Sequence, residues 1–418
     1  MGMVAVPLPP PTVRYTVTLG SRPSLSSGVI GEPTASSVEP SSGSECPPAG
    51  APVFPSTAEC MRTHLTFTGT GAEYFRIWIV QVLLGVLSLG VYSAWAKVRK
   101  ARWFAQHTQL LGDAFDYHGQ PKRILLGRAV AIVLFIAYSR SFEWSRTLGL
   151  AVVAVLLLLG PILVNSAQRF RMANTSWRGV RFGFDATPWK VYAVCVPVLL
   201  LWTAGTLWTA LRGSAAGVAW VTLCSALCWP AAHASFKRLQ HQQARYGDQS
   251  FEFRPVTRAF YGVYGKAFGL ALGTVFVIGI PVGMLGAAVN ASHAAPSPTI
   301  SLVIGAGTVG VIYLIVWPFV TASLQRIVWS HTSCNGVRFF SDISAGRLCG
   351  LVVRQMLLVV LTAGLYWPFA AVAFARYRVE SVGLESGSEL PEIVARVNQR
   401  VGTVGDAAFD IFGFDLGW

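Results

Sequence analysis

From Thr299 to Leu324 the sequence holds 26 consecutive residues without a charged side chain, and the run from Leu148 to Val164 is also charge-free. Each approaches the roughly 20 apolar residues that cross about 30 Å of hydrocarbon. Buried helices of soluble proteins rarely run that far without a charge, so a chain with recurrent stretches of this kind folds as membrane-spanning helices. Composition agrees. Hydrophobic residues make up 53% of the chain and charged residues 12%, about half the charged share of ordinary soluble domains.

Lys and Arg outnumber Asp and Glu by 33 to 19, a formal net charge of +14. A nucleic-acid binder would carry that excess on a soluble face. Here it flanks the apolar runs, the pattern of topology control and of contact with anionic lipid. The partners this implies are the lipid bilayer and its anionic headgroups at the cytoplasmic face, with no nucleic acid. The first 60 residues are rich in Pro, Ser and Gly and lack the basic start and apolar core of a secretory signal. They are expected to form a disordered tail. The seven cysteines include no CxxC pair and imply no disulfide framework.

Self-similarity organises the rest. The pattern Arg-x5-Thr-x3-Gly-x2-Phe occurs as Arg102, Thr108, Gly112, Phe115, as Arg169, Thr175, Gly179, Phe182, and as Arg326, Thr332, Gly336, Phe339. A further copy keeps Arg238 and Phe251, with Ala244 in place of Thr and Gly247 one position early. Eight residues before the arginines stand Ala94, Pro161, Pro230 and Pro318, and a fifth arginine, Arg376, follows Pro368 by the same interval. The spacing predicts a helix leaving the membrane, followed by a β-hairpin. The Arg-Gly, Asn-Gly and Gly-Asp pairs at 178–179, 335–336 and 247–248 are hairpin turns. Phe115-x-Tyr117, Phe182-x-Phe184 and Phe251-x-Phe253 are half-buried second strands. Leu65-x-Phe67 and Phe409-x-Ile411 look like further strands. Since an isolated hairpin is marginal in water, all of these are expected to meet in one small sheet or partial barrel.

The fold class expected is therefore an α-helical polytopic membrane protein: tandem repeats of transmembrane helices with short cytoplasmic β-hairpins forming a small sheet. Residues 61–380 form the repeat-built membrane domain, and 381–418 a cytoplasmic tail with a short helix and a terminal strand. The hairpin-bearing segments 96–123, 165–190, 235–266 and 323–347 contain twenty Lys and Arg, whereas the opposite loops contain Arg140, Arg146 and Arg212. The positive-inside rule places the hairpins in the cytoplasm. Two outer segments, 73–95 and 347–374, hold a single apolar stretch each. As single spans they would put neighbouring strands on opposite sides of the membrane. As re-entrant hairpins bent near Gly90 and Gly364 they keep every strand on one side. The repeat favours re-entry and the segment length favours spanning.

The stretch Leu89-Gly90-x-Tyr92-x-x-Trp95-Ala96-x-x-Arg99, followed by Phe115-x-Tyr117-x-Gly119, resembles the YjgN-like family of bacterial inner-membrane proteins. The likeness is strongest over residues 64–130, and the terminal GDAAFD resembles the family's ending. Copies two and three depart from the fuller motif. The resemblance implies a multi-pass protein of the bacterial inner membrane and brings no assigned activity.

No catalytic arrangement stands out, and neither a cofactor nor a metal site is recognised. His107 and His331 occupy equivalent positions without companion carboxylates and read as polar strand-edge residues. The polar groups at membrane depth carry more weight. Gln81 and Gln355 occupy matched positions, with Arg354 beside the second. They are candidates for a polar site lining a path for a small solute, against the plainer reading of interhelical amides and a snorkelling arginine. The five motif arginines read as anchors or sheet contacts. Two functions compete: a transporter or channel-like protein with a path between repeats, and a non-catalytic scaffold or sensor whose sheet binds a partner.

Overall fold

The computed structural model describes residues 61–386 apart from 213–214 and 292–297. The expected disordered tail, the short helix after residue 386 and the strand at 409–411 lie outside the described residues. The chain begins with β1 (Met61–His64) and β2 (Thr66–Phe67), then α1 (Gly71–Leu87) and α2 (Ser93–Gln106). Hairpin β3 (Thr108–Leu110) and β4 (Asp113–Tyr117) leads to helices α3 (Pro121–Trp144) and α4 (Arg146–Ala173). Hairpin β5 (Thr175–Trp177) and β6 (Val180–Phe184) leads to α5 (Pro188–Arg212) and α6 (Ala215–Gln242). Hairpin β7 (Ala244–Tyr246) and β8 (Gln249–Phe253) leads to α7 (Thr257–Thr274), a π-helical turn (Val275–Gly279), α8 (Ile280–Ala291) and α9 (Pro298–Ser330). Last come β9 (Thr332–Cys334), β10 (Val337–Ser341), α10 (Ala345–Leu361), α11 (Trp367–Glu380) and β11 (Val382–Ser386).

Each hairpin closes on a two-residue loop whose chemistry sets its geometry. Leu111-Gly112, Arg178-Gly179 and Asn335-Gly336 have positive φ at both positions, the I′ arrangement that matches strand twist. In the remaining hairpin the glycine stands first, and positive φ is confined to Gly247 at +56°, as a II′ turn requires. This accounts for its glycine falling one position early.

All eleven strands lie in one sheet, and the second strand of each hairpin pairs with the first strand of the next. Phe115 thus lies opposite Trp177, Phe182 opposite Tyr246 and Phe251 opposite Cys334. The segment Met61–Phe67 has a dual role. Its first half pairs with β11, and its second half pairs with β3. The two ends of the strand order, β1 and β2, are therefore consecutive parts of one segment. The sheet also runs past residue 380, because β11 sits between β1 and β10.

The helices repeat this order. α2 packs on α3, and each later helix packs on its sequence neighbours as far as α11, which returns to α1. Small clusters join helices to strands in place of a single core. Tyr117 packs with Ala94, Val98, Ile124 and Phe170, Phe184 with Val191, Cys195 and Leu239, and Phe253 with Ala234, Phe260 and Val328. In each period-two aromatic pair the second ring enters such a cluster, where full burial contributes about 1.5–3 kcal/mol. The first ring faces the inside of the sheet. Ala94, Pro161, Pro230, Pro318 and Pro368 are all buried, so the position eight residues before each arginine is a close helix contact.

Among the described residues, five helices are long and apolar enough to cross a membrane: Pro121–Trp144, Arg146–Ala173, Pro188–Arg212, Thr257–Ala288 and Gly305–Ser330. The protein is a helical polytopic membrane protein. The outer segments take a different form. Both bend, at Leu89-Gly90 and Ala363-Gly364, with positive φ at all four residues. The chain then returns to the sheet it left, since β2 and β3 pair directly. The two bends share one hydrogen-bond pattern. Gly90 N–H donates to Gly85 O and Gly364 N–H to Val359 O, each at 2.8 Å. The Tyr92 N–H donates to Ser88 Oγ at 2.9 Å and the Tyr366 N–H to Thr362 Oγ1 at 3.0 Å.

Candidate functional site

The motif residues are tied to helix ends and strand exits. Thr108, Thr175 and Thr332 donate their hydroxyls to the carbonyls four residues back, at 2.8, 3.0 and 2.8 Å, which satisfies a carbonyl orphaned at each helix end. Arg102 donates to Tyr117 O at 3.2 Å, Arg169 to Ala186 O at 3.1 Å, Arg326 to Ile343 O, and Arg376 to Gly69 O at 2.8 Å. Each arginine thus clamps the chain leaving an adjacent strand. The divergent copy uses a relay. Arg238 donates to Gln242 Oε1 at 3.1 Å, and Gln242 donates to Phe253 O at 3.0 Å. His107 and His331 stand where helix passes to strand, and their carbonyls accept from Thr68 N–H at 2.9 Å and Arg254 N–H at 3.1 Å. Their Nδ1 atoms lie 2.7 Å from the carbonyls of Trp103 and Ile327.

Gln81 and Gln355 are buried, and Gln81 Nε2 and Gln355 Oε1 have no hydrogen-bond partner. Arg354 is exposed, in line with the apolar surface residues Val353 and Leu357. A cavity among the described residues lies elsewhere, and none of the three lines it.

That cavity measures about 750 Å³ and is lined by strands of the sheet and by residues of α2, α4, α9, α10 and α11. Its size is in the range of about 300–1,000 Å³ usual for small-ligand sites. The floor is aromatic: Phe115, Trp177, Phe182, Tyr246, Phe251 and Phe339 are the first rings and turn neighbours of successive hairpins. Tyr246 donates its hydroxyl to Trp177 O at 3.0 Å, and burial pushes its pKa up to about 12. Cys334 also lines the wall. Burial and the Glu252 carboxylate push its thiol up to about 11, so it stays protonated near neutral pH.

Lys100, Arg171 and Arg378 bring positive charge to the lining, and no Asp or Glu among the described residues lines the cavity. Arg378 Nε donates to Gln325 Oε1 at 2.8 Å, and Gln325 donates back to Arg378 O at 2.9 Å, so a neutral amide fixes the guanidinium. Lys237 of α6 donates to Gln240 at 3.1 Å and lies within electrostatic reach of both Arg171 and Arg378. A sequence signal for two of these cations existed. Arg171 and Arg378 each stand two residues after a motif arginine. Two residues rotate about 200° around a helix, so the motif arginine faces the strand exit and its follower faces the chamber.

The family described as "Bacterial protein of unknown function (DUF898)" matches residues 62–411. The "Inner membrane protein YjgN" of Salmonella typhimurium is 28% identical over 140 residues, covering 33% of this chain and 35% of that protein. The protein of the same name from Escherichia coli strain K12 is 27% identical over 144 residues, 34% of this chain and 36% of its own length. The similarity thus spans about a third of these relatives. No solved structure matches the chain.

Proposed function

The chain belongs to the DUF898 family of bacterial proteins, and from that premise we propose that this multi-pass inner-membrane protein is built of tandem repeats and uses its central chamber as the mouth of a path for a small anionic solute. The observation that carries the reading is the chamber itself: an aromatic cavity that no Asp or Glu among the described residues lines, bordered by the sheet and reaching up between the helices to Trp317. The recurrent arginine clamp, in four direct copies and one relay, supports the repeat. In this reading all hairpins lie in the cytoplasm, as the distribution of Lys and Arg favours.

Because β6 and β7 pair with each other, α6 must return across the membrane that α5 crosses, giving six crossings with α3, α4, α7–α8 and α9. The α1–α2 and α10–α11 segments enter and leave on one side. Their bends satisfy their own N–H groups, the condition under which backbone tolerates hydrocarbon. Outward-facing Leu89, Val86 and Leu361, 95%, 70% and 79% exposed, supply an apolar surface for lipid tails.

The test is flux in vesicles of neutral phosphatidylcholine containing the purified protein, with lactate, succinate or tetramethylammonium entrapped. Anions should leave faster than from protein-free vesicles, the cation should not, and Arg378→Gln should reduce the difference. Equal leakage of all three with and without protein would overturn the path, and the scaffold reading, with the sheet as a partner surface, would replace it.

A further inference from the structure

We infer that the chamber binds an amphipathic anion, a carboxylate or phosphate head joined to an apolar body, with the head held by Arg171 and Arg378. The inference rests on the chamber reading above and names its ligand class. Its first ground is electrostatic. Arg171 of α4 and Arg378 of α11 line one cavity together with Lys100 of α2, and none has a carboxylate in an ion pair among the described residues. Like charges held together in a low-dielectric space repel strongly, and a bound anion is the counter-charge that relieves this. The second ground is preorganisation: Gln325 fixes Arg378 before any ligand arrives.

The third ground is the rest of the lining. Above the cations, Trp317, Leu348 and Phe374 line the space between α9, α10 and α11. Trp317 lies nine residues before Arg326, about 13 Å further along the helix. Below them lies the aromatic floor of the sheet. A small hydrated anion would meet its charge here but would leave this apolar surface wet. A neutral lipid would fill the surface and leave the cations uncompensated. A molecule with both parts satisfies both. The same head-and-body chemistry occurs in an anionic phospholipid entering from the bilayer and in a single-chain amphiphile entering from the cytoplasm.

Cys334, which lines the chamber, provides the readout. The full chain, with its other cysteines changed to Ser, is held in a neutral maltoside detergent, and the rate of N-ethylmaleimide reaction at Cys334 is measured. Dodecyl phosphate should slow the reaction at least tenfold at saturation. Dodecanol, dodecyltrimethylammonium and inorganic phosphate should each slow it less than twofold. Arg171→Gln with Arg378→Gln should raise the half-protecting concentration of dodecyl phosphate at least tenfold, and Arg171→Lys with Arg378→Lys should largely restore it. The Lys pair keeps the test valid if the Gln pair fails to fold.

Protection by inorganic phosphate equal to that by dodecyl phosphate would overturn the amphiphile while leaving the vestibule for small anions in place. Equal protection by the cationic amphiphile would overturn the role of charge, and protection by none of the four would remove the chamber as a site. Mass spectrometry of the protein taken from membranes containing phosphatidylglycerol separates the two sources. One anionic phospholipid retained per chain, and lost in the Gln pair, supports the bilayer source. No retained lipid, with dodecyl phosphate protecting, supports the aqueous one.

Discussion

Arg376 donates through Nη2 to the carbonyl oxygen of Gly69 at 2.8 Å, joining residues 307 positions apart. The bond fastens α11 to the chain leaving β2, at one end of the strand order. Arg376→Gln removes the charged donor. The side chain is 46% exposed, so the expected cost is about 1 kcal/mol, at the low end for a hydrogen bond to a charged group. Thermal unfolding followed by tryptophan fluorescence should begin a few degrees lower, and trypsin should cut faster at Arg62 or Arg76. Unchanged melting and unchanged cleavage would show that strand pairing alone holds this end of the strand order.

Asn335 has φ +45° at the first position of its turn. Asn tolerates this region and a β-branched residue does not. Asn335→Val should cost about 1–3 kcal/mol of local strain, seen as greater protease sensitivity of the β9–β10 hairpin with normal membrane insertion. The protein is expected to tolerate Asn335→Gly. If Val and Gly behave alike, the turn does not hold this conformation.

Leu89 is 95% exposed at the tip of the first bent segment. With re-entry, a reporter after Arg123, Lys190 or the C-terminus faces the cytoplasm and one at Arg140 faces the periplasm. Leu89→Cys should then resist membrane-impermeant thiol reagents from either side. A periplasmic C-terminus, or a Cys at position 89 labelled only from the periplasm, would mean that the segment spans.

Gln81 Nε2 and Gln355 Oε1 are buried without partners, and an unmet buried polar atom costs about 1–3 kcal/mol. Gln81→Leu and Gln355→Leu should therefore hold or raise the melting temperature of the purified protein, and leave anion flux intact, because neither residue lines the chamber. A drop of several degrees in both variants would indicate that water or solute satisfies these amides in the native protein.

The Cys334 thiol, raised from 9.0 to about 11, is protonated at pH 8 to a greater extent than an unshifted thiol. Two pH units remove about 99% of the thiolate, which is the reacting form. Alkylation by iodoacetamide at pH 8 should run about a hundredfold slower than in the urea-unfolded chain, and rise tenfold per pH unit up to about pH 11. A plateau near pH 9 would mean that the thiol sits in water.

What the sequence determined is local. Charge-free runs require helices that cross lipid, and the paired loop residues require two-residue hairpins. A threonine just past three of the helices reaches back to an orphaned carbonyl. The same motif recurs because the same helix-to-hairpin junction recurs, and the residues that stabilise a junction lie within about 20 positions of one another. Strand pairing across the whole chain is another matter. That Met61–Phe67 divides its pairing between β11 and β3 depends on the small rotation between each unit and the next, summed over all units, and no local pattern encodes that sum. The chamber follows from that pairing. Through it Arg171 and Arg378, carried on two different helices, come to line one cavity, while Gln81, Gln355 and Arg354, which share a pattern in sequence, are not among its lining residues. Tertiary structure decided the site because charge convergence is a property of distance in space, and distance here is set by long-range strand and helix pairing.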